Sequence, residues 1–212
     1  MAEAKTSILP FAAGALHTNA LAASNDAALR EGGAEYYGLQ QVILDIGRSI
    51  LSPGSRVIDL RCDIGTLMPL IAEHEDLCRF VVLSPTAEES WKCFDKLRTR
   101  VRFGFVDAAC LDLRVSFPEL SARMIIAKDA LSDLSEERLS EVMVSIRRRL
   151  ERNGAALVVE DVPDDADESA PARKKRRGRS ADEWESLFKR TGFSSITIVW
   201  SDGEKVAWLI RK

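Results

Sequence analysis

The sequence predicts an α/β fold: a mainly parallel sheet with helices on both faces and an antiparallel hairpin at its C-terminal edge. Three observations predict it. Short apolar runs alternate with amphipathic segments between Arg56 and Asp161. Each run is strand-length and stops at a polar patch, as strands do when their ends reach a sheet edge. The last two runs are joined only around Ser201-Asp202-Gly203, a hairpin turn signal.

The elements follow in order. Residues 35–51 place Leu39, Val42, Ile43, Ile46, Ile50 and Leu51 at helical spacing, and Ser52-Pro53-Gly54 ends that helix. RVIDL (56–60) is the first strand, followed by the polar patch RCDIG and a helix to about residue 75. RFVVLS (79–84) is the second strand. Thr86 and Glu89 then have the spacing of a capping box at the start of a helix. VRFGFVDA (101–108) and ARMIIAKD (122–129) read as the third and fourth strands. In SEERLSEVMVSIRRRLER, Leu139, Val142, Met143, Ile146 and Leu150 form one apolar stripe, with Asn153-Gly154 as the expected stop. AALVVED (155–161) is the fifth strand. A helix over ADEWESLFKRTGF, ended by Gly192, precedes the closing pair SSITIVWS and KVAWLIRK.

At 212 residues the chain has room for one α/β domain, expected over residues 35–212, and 46% hydrophobic residues supply its core. Residues 1–34 are alanine-rich without a clean period and read as a poorly ordered arm; their apolar stretch is broken and weak as a signal peptide. Residues 162–183 turn from acidic to basic without apolar periodicity, the composition of a charged flexible loop. The net charge of −3 argues against wholesale nucleic-acid binding. The basic run at 173–179 has three readings: a contact with nucleic-acid phosphate, a nuclear-import signal if the source is eukaryotic, or a solvated linker neutralised by the acidic stretch before it. No aromatics interleave with it, so base stacking is not indicated.

Cys62, Cys78, Cys93 and Cys110 lack metal-ligand spacing and read as free thiols of a reducing, cytoplasmic setting. No run is long enough to span a membrane, and no metal site is expected.

The segments VIDLRCDIG, VDAACL and ARMIIAKDALSDLSEERLSEVMVSIRRRLERNGAALVVED occur in the order found in class I S-adenosylmethionine (SAM) methyltransferases, and the chain from about residue 35 to its end resembles them. Within that superfamily, ARMIIAKDALSDL and the tail WESLFKRTGFSSITIVWSDGEKVAWLIRK resemble the carboxy-SAM synthase group and related phage and bacterial methyltransferases. Those relatives carry a helical insertion after the fifth strand, where this chain has the charged stretch 162–183.

The resemblance implies a Rossmann-like fold, SAM as cofactor and a site built from Asp59, Arg61, Asp63, Gly65, Ser84, Asp107 and Asp129. Asp59 ends the first strand, and Gly65 keeps the last glycine of the loop. Arg61 and Asp63 stand where glycines usually allow close backbone approach. Ser84 falls where an acid usually accepts the ribose hydroxyls; it cannot offer a paired acceptor. Asp107 matches the aspartate near adenine. Lys128, Asp129, Glu160 and Asp161 fall on the same sheet edge, either as acceptor-positioning groups or as solvated strand ends.

Arg61 is expected to point inward, held by Asp59 and Asp63, and to close part of the cleft. Two functions remain open: a SAM-dependent methyltransferase with a divergent loop, or a catalytically inactive relative acting as a binding or partner subunit in a homo- or hetero-dimer. A dinucleotide enzyme is disfavoured because GxGxxG is absent. Methyl transfer needs in-line positioning more than a base, so the sequence assigns no catalytic residue and no methyl acceptor.

Overall fold

The computed structural model describes residues 34–62, 64–74, 76–98, 106–163 and 178–212. The arm up to residue 33, Asp63 and the basic residues 173–177 lie outside the described residues.

The described chain runs α1 (Ala34–Ile50), β1 (Arg56–Asp59), α2 (Ile64–His74), β2 (Arg79–Ser84), α3 (Ala87–Arg98), β3 (Val106–Cys110) and β4 (Ala122–Lys128). It continues with α4 (Glu136–Arg149), β5 (Leu150–Asp161), α5 (Ala181–Arg190), β6 (Ser195–Ser201) and β7 (Lys205–Arg211). The strands form one seven-stranded sheet in the order β3-β2-β1-β4-β5-β7-β6. The first five are parallel, and β7 pairs antiparallel with both β5 and β6. This is the expected Rossmann-like sheet with its hairpin at one edge.

Burial on both faces explains why the central strands read as unbroken apolar runs. Along β5, Ala156 and Val158 face α4 and α5, while Leu157 and Val159 face α1 and α2. The first face packs Leu139, Val142, Met143 and Ile146 with Trp184, Leu187, Phe188 and Trp208. The second packs Leu39, Ile43 and Ile46 with Leu67, Leu70 and Ile71. Capping holds the helix starts. Thr86 Oγ1 accepts from Glu89 N at 3.2 Å, and Ser180 and Glu183 form a full capping box on α5.

Two boundaries differ from the sequence reading. Helix α4 stops at Arg149, before Asn153-Gly154, because Leu150 turns extended and enters the sheet opposite Ala122. Asn153 (φ 63°) and Gly154 then lie in the irregular start of β5. A Cβ on Gly154 would stand 2.8 Å from Arg123 O, so close approach rather than helix termination requires the glycine. Strand β3 runs on to Cys110, past the expected end at residue 108.

Trp208 anchors the first face: it is fully buried, with its ring centroid 5.7 Å from Phe188 and 6.1 Å from Trp184. Trp208→Ala is expected to lower unfolding free energy by about 3–5 kcal/mol in denaturant titration. A loss below about 1 kcal/mol would mean that this face repacks without a cavity.

Candidate functional site at the carboxyl edge of the sheet

The parallel strands end at one edge, and the chain leaves β1 and β4 toward opposite sides of the sheet. Open α/β sheets bind ligands at such a switch point. The two clefts lined by the loops after β1 and β4 share Arg61 and Asp133. One is an apolar slot of about 160 Å³ lined by Leu60, Pro85, Leu111, Leu113 and Leu134, with Asp112 among its polar groups. The other is a polar cleft of about 430 Å³ bordered by Asp129, Ser132, Asp161, Gly178 and Lys205.

Arg61 divides them. Its Nη1 donates to the carbonyl of Asp129 and lies 3.9 Å from Asp133 Oδ2, so the side chain crosses from the β1 loop to the β4 loop. In the Asp59 half of the expected clamp, Asp59 Oδ1 accepts the backbone N–H of Arg61 at 3.2 Å; the Asp63 half lies outside the described residues. Arg61 is not among the residues with positive φ, so the arginine carries no left-handed strain there.

The loop after β4 is built around Glu160, which is fully buried rather than a solvated strand end. Asp129 takes a left-handed turn (φ 51°), which aspartate tolerates better than most residues. The turn aims the amides of Ala130 and Leu131 at Glu160 Oε1, at 3.0 and 2.8 Å. The Ser132 hydroxyl donates to the other carboxyl oxygen. Burial pushes the Glu160 carboxyl from its ordinary 4.5 up to about 7. The Ser132 and Leu131 donors pull it down, and the nearby Asp129 charge pushes it up again.

Lys205, brought from β7 by the terminal hairpin, closes the polar cleft. Its Nζ pairs with Asp129 and with Asp161 Oδ1, the latter at 2.6 Å. Partial burial opposes its charge, but the bonds to Asp129 and Asp161 outweigh that and raise its pKa. Lys128, also buried, sits 3.4 Å from Asp129 Oδ2.

Of the expected site residues, Arg61 and Asp129 line the clefts, while Asp59 and Ser84 are buried at the ends of β1 and β2. Gly65 lies in the first turn of α2, and Asp63 lies outside the described residues. Asp107 pairs with Val81 near the start of β3, one register position behind Asp59, which is level with Val82 and Ala108. The acid beyond β3 is Asp112, whose carboxylate takes Arg114 Nη2 at 2.8 Å and is held below its usual range by that arginine. Ser84 is only 2% exposed, and its carbonyl accepts from Leu111 N at 2.8 Å. Among the described residues, no cluster of His, Cys, Asp and Glu is arranged to hold a metal. No described helix is long and apolar enough to cross a membrane.

The four cysteines are not all free. Cys62 and Cys93 are joined as a disulfide, while Cys78 is free and buried and Cys110 free and exposed. The spacing alone could not reveal this, because the pair meets only when α3, which follows β2, packs beside the loop after β1. Of the basic run, Arg179 is described. It pairs with Glu136 and lies over the Trp184 ring at 5.4 Å, so it braces α5 against α4.

The Glu160 site generates a pH prediction. A folded-state value above the unfolded one means that the native state binds more protons between about pH 4.5 and 7. The stability from this group is full below the unfolded value and is lost as pH rises through about 7. The loss is on the order of 3 kcal/mol. Glu160→Gln, which mimics the protonated form, is expected to flatten that decline in unfolding free energy from pH 4.5 to 7. An unchanged slope would show that Glu160 titrates normally.

No family model matches the sequence, and no curated protein sequence matches it significantly. Solved structures do. A SAM-dependent methyltransferase from Clostridium acetobutylicum superposes with a TM-score of 0.63 at 12% identity, over 91% of this chain and 98% of that one. PigF, solved with S-adenosylhomocysteine (SAH), gives a TM-score of 0.64 at 19% identity, over 91% and 66% of the two chains. TehB from Haemophilus influenzae gives 0.60 at 14% identity, over 81% and 61%. At these identities the likeness is one of architecture: the chain shares the fold of class I SAM-dependent methyltransferases.

Proposed function

We propose that the protein is a SAM-dependent methyltransferase with a divergent cofactor loop, in which Arg61 divides the ligand cleft. The observation that carries this reading is the pair of clefts flanking Arg61 at the switch point between β1 and β4, in a chain with the methyltransferase fold.

The residues present fit the cofactor in part. The slot between Leu60, Pro85, Leu111 and Leu134 suits a flat heteroaromatic base, with Asp112 as a nearby polar partner. Alone, at about 160 Å³, it is smaller than the roughly 300 Å³ at which small-molecule sites begin. Displacing Arg61 would join it to the polar cleft. SAM would supply an activated methyl group on a sulfonium for in-line transfer. Asp59 fixes the loop backbone at Arg61, and Glu160 fixes the facing loop at Ala130–Ser132. A polar acceptor of modest size would enter between Asp129, Ser132, Asp161 and Lys205, where Lys205 and the carboxylates can orient a hydroxyl or amine. The stretch 162–183, in place of a pocket-forming insertion, favours plain methyl transfer over carboxy-SAM chemistry.

A second reading, a non-catalytic binding or partner subunit, is favoured by one observation. Ser84 is buried at the end of β2 and offers no carboxylate for ribose. A charged hydrogen bond of that kind is worth about 1.5–3 kcal/mol, so its absence weakens binding tenfold or more.

Calorimetric titration of the full chain with SAM and SAH separates the two. Saturable binding of both, with methyl transfer to small acceptors in an amine and phenol panel, supports the first reading. A folded protein that binds neither at millimolar ligand supports the second. Arg61→Gly removes a charge-assisted bond that must break to open the cleft, so SAH affinity is expected to rise about tenfold. Loss of binding in this variant would instead make Arg61 a ligand contact.

A further inference from the structure

We propose that Cys62 and Cys93 are a redox-modifiable pair that tethers the cofactor loop, opened and closed by exchange with low-molecular-weight thiols and disulfides. The inference rests on the cofactor reading above for its functional consequence, but not for the chemistry of the pair.

Position carries the argument. Cys62 follows Arg61 directly in the loop after β1, and its N–H donates to Leu83 O at 2.8 Å. Cys93 lies inside α3, the helix that follows β2. Their Cα atoms are 6.5 Å apart, within the span of a disulfide, and the bond is formed. It therefore ties the loop carrying Arg61 to the element that follows Ser84. These two loops border the apolar slot through Leu60, Arg61 and Pro85. Of the other two cysteines, Cys78 is buried against Ser52 O at 3.7 Å, while Cys110, 3.8 Å from Pro85 O, is exposed and is removed in the test by Cys110→Ser.

Access sets the order of exchange. Cys93 is buried at 5% exposure, whereas Cys62 is half-buried. An external thiolate attacks Cys62 Sγ, the sulfur–sulfur bond breaks, and the electron pair leaves on Cys93 Sγ, which takes a proton. A second external thiol attacks the mixed disulfide, releasing Cys62 as a thiol and the external disulfide. In sum, two external thiols are oxidised to one disulfide and the protein disulfide is reduced to two thiols; the reverse closes the tether. Opening it leaves residues 60–62 held by their backbone hydrogen bonds to Ile126 O, Asp59 and Leu83 O alone, and loosens the hold of Arg61 on the Asp129 carbonyl. The cleft then opens more readily.

The test uses the full chain equilibrated with glutathione or with glutathione disulfide. In Cys110→Ser, denatured thiol counts are expected to be three after glutathione and one after its disulfide. Three thiols in both overturns the proposal. Hydrogen exchange at residues 60–62 is expected to be at least about tenfold faster in the reduced form and in Cys93→Ala, with β4 and β5 unchanged. Equal exchange in all three forms also overturns it. SAH is expected to bind about fivefold tighter to the reduced form. Equal or weaker binding overturns the link to the cleft. If SAH binds neither form, the cofactor reading fails, and the thiol count and exchange rates still decide whether the tether exists.

Discussion

The pairing of β1 with β4 is the constraint from which the rest of the site follows. Both strands run the same way, yet the chain leaves β1 toward β2 on one side and β4 toward β5 on the other. Their loops diverge, and a crevice is left over the shared carboxyl edge. Packing on both faces makes the geometry rigid, since every central strand is locked between two helical layers. Side chains at the edge then decide what the crevice admits. Arg61 spans it from one loop to the other and, with Asp133, borders both clefts.

A buried carboxylate is an expensive way to shape a loop. Glu160 loses hydration entirely, and its three donors from residues 130–132 only partly compensate, which is why its proton affinity is raised. The return is a defined loop. The left-handed turn at Asp129 presents its carbonyl to Arg61 and its carboxylate to Lys205 and Lys128. Glu160, Asp129, Arg61 and Lys205 therefore form one connected unit across four parts of the chain. A change in any one is expected to be felt by the others.

The sheet was legible in the sequence because its cause is local. Alternating runs such as RFVVLS and the Asp202-Gly203 turn specify strands and a hairpin without reference to distant residues. Asp59 and Ser84 were legible for the same reason, since a strand end can be read from where the apolar run stops. Less of the site was legible, because it depends on pairing at long range. Lys205 meets Asp129 and Asp161 only through the register of β7 on β5. The burial of Glu160 follows from the strand's facing, which puts it on the side of Val158 and α4. Asn153-Gly154 marks close packing against Arg123, not a helix end. The Cys62–Cys93 bond likewise joins the loop after β1 to α3, 31 residues on, and depends on how those elements pack.

The central claim is that an adenosyl ligand binds at the crevice between β1 and β4. Hydrogen–deuterium exchange of the full chain with and without saturating SAH tests it most directly. The account predicts slowed exchange at residues 60–62, 84–85, 111–114 and 129–133, the loops that border the two clefts, with α5 and β6 unaffected. Protection confined to α5 and β6, or no protection anywhere at millimolar SAH, would contradict it.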